Sequence, residues 1–417
     1  MSPRQLHRRT AGARERGAVL IQVALAMTVL GGFCAMSIDY GLLMAARGQV
    51  QTAADAGALA GAIALGFDED FDVGHVKEIA STVATANLVA QSPAHVTNGD
   101  VQPGNFVVPG FPPTPARNKT VLNGMTVSAR RNGRGNALPT FFGHLVGIGN
   151  QGVQAKATAV IVPSNASDCV WPLAIPDLWL DNNTVAGSPA PAPTFVKYGV
   201  TGPPTLAIPP DTYTPPFTTG SGSGYALLPT LPVKFNLPLT LTNLMDLTKP
   251  AERGRFVPVQ VPRGAGGGFA SNLASCNNSV VPVTIGDDDR LQVEAAGTLA
   301  TVLAVAAGRV AADPIATWNP TTFQVENSCA VAAAPCAPMS PRLVVLPVFD
   351  LNRYEDTRWP AGATPKIRVV NFVGFFIKQV TGTSIVGQIT LAPGRVVMGR
   401  PMVGYRSAFL RTPFLSR

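Results

Sequence analysis

Residues 17–38 read GAVLIQVALAMTVLGGFCAMSI, from Gly17 to Ile38, and carry no charged side chain over 22 positions. As a helix at 1.5 Å per residue the stretch covers about 33 Å, enough to cross a hydrocarbon core of ~30 Å. Gln22 is its most polar member. Arg4, Arg8, Arg9, Arg14 and Arg16 precede it against Glu15 alone, and Asp39 follows it. This flank predicts a cytoplasmic basic tail over 1–16, a transmembrane helix over 17–38, and export of everything beyond. A cleaved secretory signal would have a shorter apolar core and a small-residue site. Gly31-Gly32-Phe33-Cys34-Ala35 is a poor site of that kind. A second span is not found. The best later stretch, Ala295–Ala307, has 13 residues between Glu294 and Arg309 and suits a helix packed on a sheet.

Beyond Asp39 the chain reads YGLLMAARGQVQTAADAGALAGAIAL, without proline and rich in alanine. High helix propensity predicts that the anchor continues as one helix to about Leu65. Small residues recur along it, from Ala45 and Ala46 to Gly61 and Ala62. Such a face lets another backbone approach closely. That backbone could belong to the same domain or to a partner, and both readings stand.

The run Arg16-Gly17-Ala18, the apolar span, Asp39-Tyr40-Gly41, Ala46-Arg47, Gln49-Val50-Gln51, Ala53-Ala54-Asp55-Ala56 and Ala58-Leu59-Ala60-Gly61-Ala62 resembles the N-terminal region of the Flp (tight-adherence) pilus-assembly TadG-like and TadE-like proteins. The likeness covers residues 14–64. It implies a single-pass component of a bacterial pilus-assembly or secretion apparatus in the inner membrane, with its bulk in the periplasm. Other pilus-assembly or pilin proteins would be its partners. The helix surface bearing Asp39, Arg47, Gln49, Gln51, Ala54 and Asp55 is the expected partner surface. Asp39 and Arg47 would set depth and register at the membrane, and simple interfacial solvation is the rival role. Pilins of this system carry a Gly cleavage site with Glu five residues on. Here Gln22 follows Gly17 at that spacing, which suits an uncleaved anchor. The D-x-S-x-S motif of longer relatives is absent.

The exported part is loop-rich, with 41 Gly and 38 Pro in the whole chain and only 13% charged residues. A helix is expected over Val73–Ala90, closed by Pro93. Short Val-rich runs at Asn105–Val108, Gly124–Ala129 and Gly152–Val162 predict strands. Between the last two an excursion passes through Phe141-Phe142-Gly143. Residues 39–165 thus form a helix plus a small α+β region. Residues 166–417 form a β-rich domain with a Pro/Gly-rich insertion at 186–232, read as a linker or a long decorated loop. A helix over Ala295–Ala312 and strands over Arg342–Phe349, Lys366–Gln379 and Thr383–Leu391 complete an α+β class. Phe372, Phe375 and Phe376 are read as core, with an exposed docking edge as the alternative.

Cys169, Cys276, Cys329 and Cys336 lie in the exported part, an even number as disulfides in an oxidising compartment require. Three connectivities are open. Proximity favours Cys329 with Cys336 and Cys169 with Cys276. A zinc site is the rival, weakened by the lack of a C-x2-C pair. Cys34 lies in the span and is expected to be free.

Catalytic and cofactor signals are weak. His7, His75, His95 and His144 share no metal-binding spacing. Gly264–Gly268 lacks the Lys-Ser/Thr of a phosphate loop. Asp287-Asp288-Asp289 could hold calcium, but reads better as a turn, as does Tyr354-Glu355-Asp356. The +8 charge is half concentrated in residues 1–16, with no aromatics to stack bases, which argues against nucleic acid. No catalytic, cofactor or metal residue is assigned. A surface adhesin or minor pilin is the alternative function, and a tethered periplasmic enzyme the weakest.

Overall fold

The computed structural model describes residues 12–67, 72–111, 122–133, 136–182, 194–201, 207–216, 224–225, 237–261, 269–275, 283–286, 291–294, 298–328, 339–356 and 365–416. One helix, α1, runs unbroken from Gly12 to Phe67. Its 56 residues correspond to about 84 Å. Two halves with opposite surroundings share this rod. From Val19 to Met36 the large apolar side chains are bare, with Leu20 72%, Met27 68% and Met36 70% exposed. From Ala46 onward one face is buried: Ala46, Val50, Ala53, Ala54, Ala58, Ala62 and Leu65. Their spacing of three and four residues is that of a single helical stripe. In the bare half, the Thr28 and Ser37 hydroxyls donate to the carbonyls of Ala24 and Phe33, both at 2.8 Å. Their polar hydrogens are thus satisfied within the helix, as an apolar medium requires.

The buried stripe packs on α2 (Val73–Ala86) and on a five-stranded sheet. Asp72 caps α2 by accepting from the Gly74 amide at 3.1 Å. The helix stops at Ala86 rather than at Ala90. A small antiparallel ladder, Leu88–Val89 with Ser92–Pro93, follows, and its turn puts Ala90 and Gln91 at positive φ. The sheet order is Ala392–Pro393, Leu410–Ser416, Val153–Pro163, Gly124–Arg131, Val101–Gly104. The strand expected at Asn105–Val108 is not formed. There Asn123 replaces the ladder, accepting from the Phe106 amide and donating to the Phe106 carbonyl, both at 2.7 Å. The strand lies just before, at Val101–Gly104.

The small residues of α1 are used by the chain's own packing. A Cβ on Gly57 would sit 2.7 Å from the Ala84 Cβ and 2.8 Å from the Ala80 carbonyl oxygen, whereas nothing lies within 4 Å of one on Gly48. Gly57→Ala is therefore expected to cost about 1–3 kcal/mol by prising the helices apart. Gly48→Ala should stabilise by up to about 1 kcal/mol through helix propensity. Thermal unfolding of the two variants in detergent checks the contrast, and equal effects would refute it.

The remainder is built on a nine-stranded sheet. Its main path runs Leu237–Leu241, Ile385–Thr390, Val369–Val380, Leu343–Phe349, Leu173–Pro176, Arg255–Gln260, Leu291–Val293, Lys366–Ile367. Both faces are covered, so every residue of Val369–Ile377 is buried, Asn371 included. Phe372, Phe375 and Phe376 are at most 1% exposed and belong to the core. A helix over Leu299–Ala312 covers one face. It starts at the Thr298 cap, later than the expected Ala295, and residues 295–297 lie outside the described part. Tyr354 and Glu355 are not in a polar turn. They are buried in a short helix, Leu351–Asp356, because Leu351 and Tyr354 enter the core. The described parts of 186–232 are no free linker: Phe195, Tyr213 and Tyr225 are buried against the body. The fold is thus mixed helix and strand, with one long apolar N-terminal helix and a sheet-rich body.

The two sheets are joined by the chain's far end. Leu410–Ser416 pairs antiparallel with Val153–Pro163, completing the sheet begun by residues 101–163. Its Arg411 is fully buried, donates from Nη1 to the Gly66 carbonyl, and stacks 4.6 Å from the Tyr405 ring centre. A cation at the last carbonyls of α1 complements the helix dipole.

Candidate functional site at the foot of the body

Asp39 lies between the bare part of α1 and the stripe buried from Ala46 onward. Its carboxylate accepts three consecutive backbone amides from a loop more than a hundred residues away. Oδ1 takes the Phe141 amide at 2.8 Å, and Oδ2 takes those of Phe142 at 3.0 Å and Gly143 at 2.7 Å. These amides open a single 3-10 turn, Gly143–Val146, whose first donors have no partner within the turn. Desolvation pushes the Asp39 pKa upward, but the amides of Phe141, Gly143 and Phe142 outweigh it and hold the carboxyl below its ordinary value. The charged form is therefore the one that clasps the loop. The clasp is present at neutral pH and is lost as pH falls through the depressed pKa.

The loop closes on itself. Leu138–Pro139 pairs with Asn150–Gln151, the Thr140 amide donates to the Gly149 carbonyl at 3.1 Å, and that of Ile148 to the Gly143 carbonyl at 2.8 Å. Gly147 supplies the left-handed turn, φ +82°. Between this loop and α1 lies a cleft of about 410 Å³, lined largely by apolar groups including Gly32, Met36, Leu43, Phe142 and Ile148. Asp39→Asn leaves one carbonyl oxygen for three amides and turns an amine toward donors. Faster hydrogen exchange at the Phe141, Phe142 and Gly143 amides is expected, with the amides of Gly124–Arg131 unchanged. Unchanged exchange at the loop would show that the clasp does not hold it.

The other expected surface residues are partly spent on the chain itself. Gln49 Oε1 accepts the Ala90 amide at 2.7 Å, and Gln51 Nε2 donates to Asp55 Oδ1 at 2.7 Å. Ala54 is fully buried in the domain's own core, so it is no part of an outward surface. Arg47 is exposed. Asp39 acts as a clasp within the chain, which residue type alone did not reveal, because its partners are backbone amides.

A second group of ionisable residues lies in the body. Asp177 and Asp350 directly follow two neighbouring parallel strands, Leu173–Pro176 and Leu343–Phe349. Carboxyl ends of parallel strands are common ligand sites, but here the carboxylates hold protein. Asp177 accepts from the amides of Leu178 at 2.8 Å and Tyr225 at 3.1 Å, and from the Tyr213 hydroxyl at 3.1 Å. Asp350 accepts the Arg353 amide at 3.2 Å and faces Arg368 at 3.9 Å. Burial, with the Asp350 charge nearby, pushes Asp177 up to about 7. Asp350 is also raised, by burial. Tyr213 and Tyr225 come from the Pro-rich insertion, so this pair moors that insertion to the sheet.

Among the described residues no group of three or more His, Cys, Asp or Glu is placed to hold a metal. Asp287–Asp289 and Gly264–Gly268 lie outside the described residues. Cys34 is free and exposed, and Cys169 is disulfide-bonded. Cys276, Cys329 and Cys336, the other members of the expected pairing, lie outside the described residues. Among the described residues one helix, within Val19–Phe67, is long and apolar enough to cross a membrane. No family model, curated protein or solved structure matches this chain.

Proposed function

We propose that the protein is a membrane-anchored structural component of a bacterial Flp or tight-adherence pilus-assembly apparatus that acts through protein contacts rather than catalysis. One observation carries the reading: a bare, uncharged helical segment flanked by arginines continues without a break into an Ala/Gly-rich segment docked on a sheet-rich body. That arrangement suits an anchor rigidly coupled to an exported domain. The residue pattern over 14–64, which resembles TadG-like proteins, supplies the pilus context. The basic flank supports a cytoplasmic N-terminus and a periplasmic body. Cysteines confined, apart from Cys34, to residues 169–336 support an oxidising compartment.

Fractionation of cells making a C-terminally tagged chain, with protease shaving of intact cells and spheroplasts, tests this. Full-length protein in the inner membrane, cleaved only in spheroplasts, is the expected result. A soluble cytoplasmic protein would refute the reading. A shortened form in sheared pilus material would replace it with a minor pilin or adhesin processed at Gly17 despite Gln22.

A further inference from the structure

The loop that Asp39 clasps does not stay level with Asp39. It hangs beside the bare part of α1, because Gly32 and Met36 line the shared cleft together with Phe142 and Ile148. Gly32 lies seven residues below Asp39, about 10 Å along a helix axis. Resting on the anchored reading above, we propose that the Leu138–Gln151 loop is a second membrane contact, a wedge seated in the leaflet on the exported side.

Three observations favour lipid as the occupant. The chain from Gly135 to Ala155 contains no Asp, Glu, Lys or Arg, although Arg134 precedes it and Lys156 follows. The loop exposes large apolar groups on the membrane side of the body: Phe141 is 70% exposed, Ile148 47% and Phe142 38%. This surface is continuous through the cleft with the bare helix, whose Phe33 and Met36 are 66% and 70% exposed. The backbone is also prepared for a poorly hydrated setting. Irregular backbone at membrane depth is tolerated only where its polar groups are satisfied. Here the Asp39 carboxylate takes the amides of Phe141, Phe142 and Gly143, and the Thr140 and Ile148 amides bond within the loop. Phe and Leu side chains are among the apolar groups by which segments lying in the interface enter the headgroup–acyl boundary. Two attachment points, a helix and a wedge, would fix the tilt and rotation of the body, which a single helix leaves free.

The test uses the full chain in vesicles of phosphatidylethanolamine and phosphatidylglycerol carrying radiolabelled acyl chains. The photo-crosslinker p-benzoyl-phenylalanine is placed singly at Leu25, Phe141 or Val107. Leu25 reports the anchor, and Val107, 91% exposed on the body, reports water. Lipid adducts at position 141 comparable to those at 25, and about tenfold above those at 107, are expected for an interfacial residue. Adducts at 25 but only background at 141 would overturn the wedge and leave the anchor standing. Protein adducts in place of lipid at 141 would overturn it in favour of a covered protein interface. Background at both positions would overturn the anchor reading together with the wedge.

Discussion

Replacing Arg342 with methionine is expected to destabilise the body by about 3–5 kcal/mol, because several buried carbonyls lose their donor at once. Arg342 is 4% exposed. Its Nε donates to the Ile377 carbonyl at 2.8 Å and Nη1 to those of Asp313 at 3.0 Å and Ala316 at 2.7 Å. Its Nη2 reaches the Lys378 carbonyl at 2.7 Å, and the guanidinium stacks 4.8 Å from the Phe376 ring centre. One side chain thus ties the end of the Leu299–Ala312 helix to the Leu343–Phe349 and Val369–Val380 strands. Methionine fills similar space but donates nothing, leaving four carbonyls without this partner, and each buried loss costs about 1–3 kcal/mol before relaxation. Arg342→Lys keeps the charge but lacks the planar fork, so it should recover only part of the loss. Trp318 is stacked 6.5 Å from Phe376 and reports on the same site by fluorescence during denaturation. A loss below about 1 kcal/mol, the worth of a single ordinary hydrogen bond, would refute the network.

Asp177 should make the body less stable as pH rises from about 4 to about 7. The folded carboxyl keeps its proton up to about 7, where an unfolded one releases it near 4. Across that window the folded state binds more protons than the unfolded one, so stability falls with rising pH and levels off above it. Three units correspond to about 4 kcal/mol at most. Asp177→Asn should remove most of this slope. The Asn carbonyl can accept the Leu178 and Tyr225 amides that Oδ1 accepts now, and its amine can donate to the Tyr213 hydroxyl. At about pH 3, below the unfolded carboxyl's titration, the variant should match the parent, and at about pH 8 it should exceed it. Asp350 is shifted the same way and leaves a residual slope. Denaturation midpoints at the two pH values decide the matter, and parallel profiles for parent and variant would refute the buried neutral carboxyl.

Much of α1 was legible in the chain. The uncharged run and the proline-free alanine-rich continuation predict one helix, and the structure begins it at Gly12 and ends it at Phe67. The strands at 124–131, 153–163, 343–349 and 385–390 fall within stretches whose apolar runs already read as strands. Asn105–Val108 misled because an asparagine side chain can take the place of a neighbouring strand. Tyr354-Glu355-Asp356 misled because polar spelling hid a tyrosine directed into the core. The candidate site was half visible. Asp39 was singled out for its position beside the span, but the partners of its carboxylate are amides, which leave no mark in residue type.

What the sequence determined by itself is the set of properties that depend on neighbours along the chain. These are the length of the apolar helix, its basic flank, the helix propensity beyond Asp39, and the alternation of several strands. Tertiary structure alone decided which distant pieces meet. The Leu410–Ser416 strand completes a sheet begun at residue 101, Asp39 clasps Phe141–Gly143, and Asp177 meets Asp350 across two parallel strands. Helical order and alternation arise from local sterics and periodicity, so they are written locally. Strand partners, buried charges and clasped amides are chosen by packing and desolvation summed over the whole chain, and no short window contains that sum.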